Sequence, residues 1–362
     1  MKKVVSSVLS FLLLLVLFAG CREDDGGDDQ SVSFDRAAML ANYSNNLILP
    51  AISDLQSSTS ELETAVNELA NNPNTANLQK AQEKWLIAVT NFQFCTSLNF
   101  GPGETLYGSF SENAATFPTD TTKVSNYIDS GDTSQNNFDR DARGFIGLDY
   151  FLFRTNAVNR LTNQTEAAYM RSAMRNLSTL VNDFKTDWDA YATDFVANNG
   201  TGSSSSISLM YNTWLISFEV IKNYKVGLPA GLRVGQTQAE PTQVEAYYSG
   251  QSLALMEAHI QLIENFYFGN SLNGTEGLGF DDYLKASVGG ESVYQQTVSQ
   301  WNAVMDVFNS LPQNKTWSEM VVENPDLADD LYTALSQQTR FFKSELSSRI
   351  GITITYDSGD GD

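Results

Sequence analysis

Apolar residues return every three or four positions through most of this chain, and that period confines it to helices packed on helices. One stripe is Leu47, Ile48, Ile52 and Leu55; others are Leu62, Ala65, Val66, Leu69 and Trp85, Ala88, Val89, Phe92. Met170, Met174, Leu177 and Val181 make a further stripe, as do Ile207, Met210, Trp214, Phe218 and Ile221. Segments 253–268, 293–311 and 327–346 predict late helices. Asn71-Asn72-Pro73-Asn74 breaks the chain between two of the early ones. Strand-like alternation is confined to 351–356. The expected fold class is therefore all-α. A hydrophobic share of 42%, with 21 Phe and 15 Tyr, supplies a substantial core and excludes disorder for the body.

The chain also repeats itself weakly. Trp85-Leu-Ile opens a helix expected to end near Asn99-Phe-Gly-Pro102, and Trp214-Leu-Ile one expected to end near Lys225-Val-Gly-Leu-Pro229. In both, glycine is followed within two residues by proline, a helix-stop signal. Between the copies lies the polar run 198–206, Asn-Asn-Gly-Thr-Gly-Ser-Ser-Ser-Ser, which reads as a linker. Two helical bundles related by internal duplication are expected, the first over 34–197 and the second over 207–362 with a C-terminal tail.

Ahead of them stands a leader. Lys2 and Lys3 precede the apolar run 8–18, and Ala19 and Gly20 precede Cys21. The run is shorter than the roughly 20 residues a spanning helix needs, so residues 1–20 read as a lipoprotein signal peptide cleaved before Cys21. Lipidation at Cys21 would tie the chain to a membrane. The acidic, glycine-rich segment 21–33 suits a flexible tether. With Cys21 acylated, Cys95 is left alone among Phe92, Phe94 and Phe100, which predicts a buried, inert thiol. The formal charge is −21, or −23 once Lys2 and Lys3 leave with the leader. Such a surface repels phosphate backbones and excludes nucleic acid as a partner.

Few residues offer chemistry. The one histidine, His259, has no second imidazole to build a zinc site with, and is expected at a helix surface or bundle edge. No Gly-x-Ser-x-Gly elbow or phosphate-binding Gly-rich loop occurs. Asp149 is more informative, because it stands in the apolar run 143–153 and is costly to bury alone. Two readings stay open: a carboxylate aimed into a cleft, or one that caps a buried helix or pairs with an arginine such as Arg143. Gly144 and Gly147 would let another backbone come close. A second cluster is Glu219, Lys222 and Lys225, within 218–231; Glu219 and Lys222 share a helix face as either a surface ion pair or part of a buried network.

These stretches resemble the imelysin-like proteins, the M75 peptidase family, in the lipoprotein form of Bacteroidetes-type bacteria. The matching residues are Trp85 with 100–102, then 143–153, 218–231, 244–253 and the closing 351–362. The resemblance implies two duplicated helical bundles with a cleft near their interface, and a role in iron acquisition at the cell envelope. It also implies a Gly-x-His-x-x-Glu motif offering metal ligands. Here Gly144 keeps the glycine, while Ile146 stands in the histidine's place and Asp149 in the glutamate's. An aliphatic side chain ligates nothing, so the peptidase activity that the family name implies is not expected.

The expected function is a non-catalytic envelope lipoprotein that helps capture iron, haem or another metal. A hard divalent cation, iron among the candidates, would be held by oxygens such as those of Asp149 and Glu219. The lack of a Cys-x-x-Cys-His run or Met/His clusters argues against tightly bound haem. The alternatives are a metallopeptidase with an altered site and a partner-binding scaffold with no ligand. The expected location is the outer membrane, facing the periplasm or the exterior, with an outer-membrane receptor for iron or haem as candidate partner.

Overall fold

The computed structural model describes residues 34–356. The leader, Cys21, the tether and residues 357–362 lie outside them. Eight helices carry the architecture: α1 (Leu49–Asn71), α2 (Thr75–Gln93), α3 (Gly144–Phe153), α4 (Gln164–Ala197), α5 (Ser206–Val220), α6 (Ser252–Phe268), α7 (Gly290–Asn309) and α8 (Pro325–Arg340). The one sheet among the described residues is a two-residue antiparallel pair, Glu104–Thr105 with Gly108–Ser109. The fold is all-α.

Helix ends follow side-chain chemistry. Asn74 accepts the amide of Asn77 at 3.0 Å and starts α2 after the Asn-Asn-Pro break. Asn163 and Ser205 cap α4 and α5 in the same manner, each satisfying an amide that the first turn leaves without a helical partner. The earlier helices pack as the stripes require: α1 lies against α2 and α4, and α3 against α2 and α4. The later ones pair α7 with α8. Trp85 donates its indole N–H to Phe145 O on α3 at 2.8 Å, and Trp214 donates to Ile263 O on α6 at 3.2 Å. The two repeat tryptophans thus do the same job.

The two sequence halves are nonetheless interlocked. Tyr43, near the chain's start, stacks on Phe266 at 5.3 Å, lies 5.5 Å from Phe280, and donates its hydroxyl to Phe266 O. Gln93 on α2 reaches Lys225 and Glu245. The described residues fall within one compact unit.

Three segments widen to π-helix: Tyr43–Ile48, Ile221–Gly227 and Phe341–Leu346. The first two each precede a proline by a few residues, Pro50 and Pro229. Proline has no N–H to give the carbonyl four residues back, so Asn46 O and Lys225 O need other donors. The Leu272 amide reaches Asn46 O at 3.4 Å, and the Trp317 indole reaches Lys225 O at 2.8 Å.

Several expected boundaries move. The first Trp-Leu-Ile helix ends at Gln93, ahead of the Gly-Pro pair, and Gly101–Gly103 is a separate 3-10 turn. The second runs past its Gly-Leu-Pro because the π-turn absorbs Pro229, and stops at Gly231. There φ is +74° and an added Cβ would lie 2.2 Å from Gln238 O, so only glycine fits. Residues 351–356 form no strand: Asn212 takes their backbone instead, donating to Thr353 O at 3.1 Å and accepting from the Thr355 amide at 2.8 Å. Cys95 is fully buried, and burial pushes its thiol far above the ordinary range.

Candidate functional site

Helix α3 sets the site. Gly144 begins it at φ +69°, where an added Cβ would sit 2.3 Å from Ala114 O. That close approach seats the helix so that Phe145, Ile146, Leu148, Asp149, Phe151 and Leu152 are all buried. Asp149 has no solvent exposure. Its two oxygens accept the amides of Tyr248 at 3.0 Å and Ser249 at 3.1 Å. The carboxylate therefore caps a loop from the far half of the chain, not its own helix. It does not pair with Arg143, whose guanidinium donates to Asn113 Oδ1 at 2.9 Å, Gln135 O at 3.2 Å and Asn176 Oδ1 at 3.3 Å.

Burial raises the Asp149 pKa to about 6; the Ser249 and Tyr248 hydrogen bonds oppose the rise, and the charge of Glu245 adds to it. Beside Asp149 lies a cavity of about 260 Å³ lined by Thr119, Ile146, Glu245, Tyr247 and Tyr248. The Thr119 hydroxyl donates to Ile146 O at 2.8 Å. Ile146 itself gives this cavity a hydrocarbon wall.

Behind it sits a closed polar ring. Lys225 Nζ lies 2.7 Å from Glu245 Oε2 and donates to Gln93 Oε1 at 2.7 Å, while Gln93 Nε2 donates to Glu245 Oε1 at 3.0 Å. All three residues are buried. Burial draws the Lys225 ammonium below the usual lysine range, and the Glu245 carboxylate pulls against it. Next to the ring, His259 Nε2 shares a 2.6 Å hydrogen bond with Ser217 Oγ, which also donates to Thr96 Oγ1 at 3.2 Å.

His259 is thus a core residue, contrary to the surface position expected. Met256, Leu262, Ile263 and Leu255, one turn away on either side, are all buried and make its helix face apolar. Burial first, then the charge of Lys225, hold its pKa well below the ordinary value, so the imidazole is neutral.

The expected cluster 219–225 divides. Lys225 joins Asp149's neighbourhood through Glu245. Glu219 is buried elsewhere, accepting from the Tyr356 hydroxyl at 3.0 Å and lying 3.4 Å from Lys343. Lys222, also buried, lines a different cavity with Lys343. The network reading of Glu219 and Lys222 holds over the surface one, but Asp149 and Glu219 do not meet to share a cation.

The donors at the first cavity do not fit a metal ion. Both Asp149 oxygens are taken by amides, the Glu245 oxygens by Lys225 and Gln93, and Ile146 has none to give. Among the described residues no group of three His, Cys, Asp or Glu is placed to hold one.

Gln93 and Glu245 are the site residues that the sequence reading missed. Gln93 carried a signal, as a polar residue one turn after Val89 on a buried stripe. Glu245 carried none locally, since its partner comes from a distant helix.

These features define a class: an all-helical protein with a buried ionic core and a small cavity beside a carboxylate-capped loop. Its family follows from comparison. The imelysin model, peptidase family M75, matches residues 48–341, and the chain belongs to the imelysin family. An imelysin-like protein from Psychrobacter arcticum has a similar fold, with a TM-score of 0.70 at 17% identity, covering 90% of this chain and 99% of that one. A protein described as an iron-regulated protein A precursor, from Parabacteroides distasonis, superposes with a TM-score of 0.66 at 15% identity over 85% of this chain and 95% of that one. Among curated proteins no similar sequence was found.

Proposed function

We propose that this protein is a non-catalytic, exported lipoprotein of the bacterial envelope that serves iron acquisition, holding cargo or supporting a receptor. One observation carries the reading: Ile146 lines the cavity where the family motif calls for an imidazole. Hydrolysis through an activated water requires a metal or a base with a free lone pair facing the substrate. Here the carboxylates are engaged, the ammonium is paired and the imidazole is buried against Ser217. The iron connection is supported by the structural neighbour described as iron-regulated, and export by that neighbour's description as a precursor. Acyl anchoring agrees with the described residues, among which no helix is long and apolar enough to cross a membrane.

The test is incubation of purified protein with unfolded protein substrates and added zinc, iron or calcium, with and without chelator. No cleavage is expected. Chelator-sensitive cleavage that disappears in Asp149→Ala would overturn the reading in favour of a metallopeptidase.

A further inference from the structure

Two further hollows, of about 730 and 500 Å³, adjoin the 247–250 loop. The larger lies between the end of α3, that loop and the turn that opens the helix Trp317–Glu323. The smaller continues past the start of α6 to the end of α7. Ser249, Gly250, Thr316 and Glu319 line both, which makes them one trough. Tyr247 and Tyr248 stand between it and the cavity beside Asp149.

One end of the trough is aromatic. Tyr150, Phe153, Tyr247 and Tyr248 are gathered there. Tyr248 meets Tyr150 edge-on at 5.0 Å and Tyr247 edge-on at 5.3 Å, and the Arg154 guanidinium backs Tyr150 at 4.4 Å. Tyr247 keeps 42% of its surface open. Single exposed rings are ordinary, but four on one wall mark a surface that a ligand covers. The other end is lined by the amide side chains of Gln251, Asn309, Gln313 and Asn314. The lining charges are largely engaged: Arg154 and Arg160 share Glu166, Lys315 lies 2.8 Å from Glu323, and Glu319 accepts the Thr316 amide and hydroxyl, each at 2.8 Å.

The wall is also held in place before anything binds. Asp149 fixes the amides of Tyr248 and Ser249. Gly250 turns the loop at φ +69°, where an added Cβ would sit 2.8 Å from the Thr316 methyl. A surface already ordered loses little entropy on binding.

We propose that this trough binds a neutral oligosaccharide, with sugar rings packed on the tyrosines and sugar hydroxyls bonded to the amides. Tyrosine presents an apolar body and a polar tip, and carboxamides both donate and accept, as polyhydroxylated rings require. An anionic ligand would need a cation without a carboxylate partner, and Arg154, Arg160 and Lys315 each have one. An extended peptide is favoured by an open strand edge, and the strands at 104–105 and 108–109 are not part of these walls. The proposal stands apart from the function proposed above and does not need it.

The test is calorimetric titration of the full chain, at about 0.15 M salt, with maltohexaose, cellohexaose, mannohexaose and N-acetylchitohexaose. Saturable one-to-one binding is expected for at least one, with its disaccharide at least tenfold weaker because it fills one end only. Tyr247→Ala should weaken binding at least tenfold with an unchanged helical spectrum. Tyr107→Ala is the control, because Tyr107 is equally exposed at 42% and lies outside the trough; it should change affinity less than twofold. Absence of binding to all four, equal binding of the disaccharide, or the same affinity in Tyr247→Ala and Tyr107→Ala would overturn the proposal. Tighter binding of unfolded lactalbumin than of any hexasaccharide would also overturn it, in favour of a peptide site.

Discussion

Asp149 is a carboxylate whose folded environment favours its proton, and this has a signed consequence. An ordinary aspartate ionises near pH 4, whereas here burial lifts the folded value to about 6. Between those values the native state binds more protons than the unfolded state, so this residue makes stability fall as pH rises from about 4 to 6. Asp149→Asn is expected to flatten that part of the profile, measured as denaturant midpoint against pH. A slope unchanged by the substitution would contradict the assignment. At this scale the sequence is readable where a polar residue breaks an apolar run, as Asp149 does. It was unreadable where the partner is remote: nothing near Asp149 announces the amides of Tyr248 and Ser249. His259 was misjudged because the absence of a metal partner was taken for exposure, although its helical neighbours are all apolar.

Among the elements, the prolines within helices say most. Pro50 and Pro229 each free a carbonyl, and the chain supplies a donor from a distant segment. Trp317→Phe keeps an aromatic ring in the core but removes the indole N–H that satisfies Lys225 O, together with part of the buried ring. A buried carbonyl left without its donor costs about 1–3 kcal/mol. A loss of that size is expected in chemical denaturation, with an unchanged helical spectrum; a neutral substitution would show that the carbonyl finds another donor. Helix positions were legible from periodicity, since stripes such as Leu62 to Leu69 face a single core. Their ends were less so. A Gly-Pro pair was read as a stop in both repeats, yet a π-turn can absorb the missing N–H, and whether it does depends on Trp317 lying across the groove. The alternation at 351–356 misled for a similar reason, because Asn212 offers a side-chain partner that mimics a neighbouring strand.

For the whole molecule, the large acidic excess and the leader argue together. A body of such charge repels anionic headgroups, so the membrane attachment proposed above would have to come from acyl chains at Cys21. Cys21→Ser is therefore expected to move the protein from the membrane pellet to the soluble fraction on cell fractionation. Recovery of that variant in the pellet would show another mode of attachment. The family and the all-helical class were legible from motifs spread along the chain. The interlocking of the halves was not, because it rests on Tyr43 meeting Phe266 and Phe280 and on Gln93 reaching Lys225 and Glu245.

That ring has a corollary for the exposed Gly-Ser stretch between α4 and α5. A protease cutting there would sever the covalent chain without releasing either piece. Gln93 would remain on one fragment while the ammonium and carboxylate it bridges stayed paired on the other, and parting them would break both Gln93 hydrogen bonds and expose the apolar surface that the two halves share. A nicked molecule of this kind would travel as one particle, its two polypeptides parting only under conditions that melt the core.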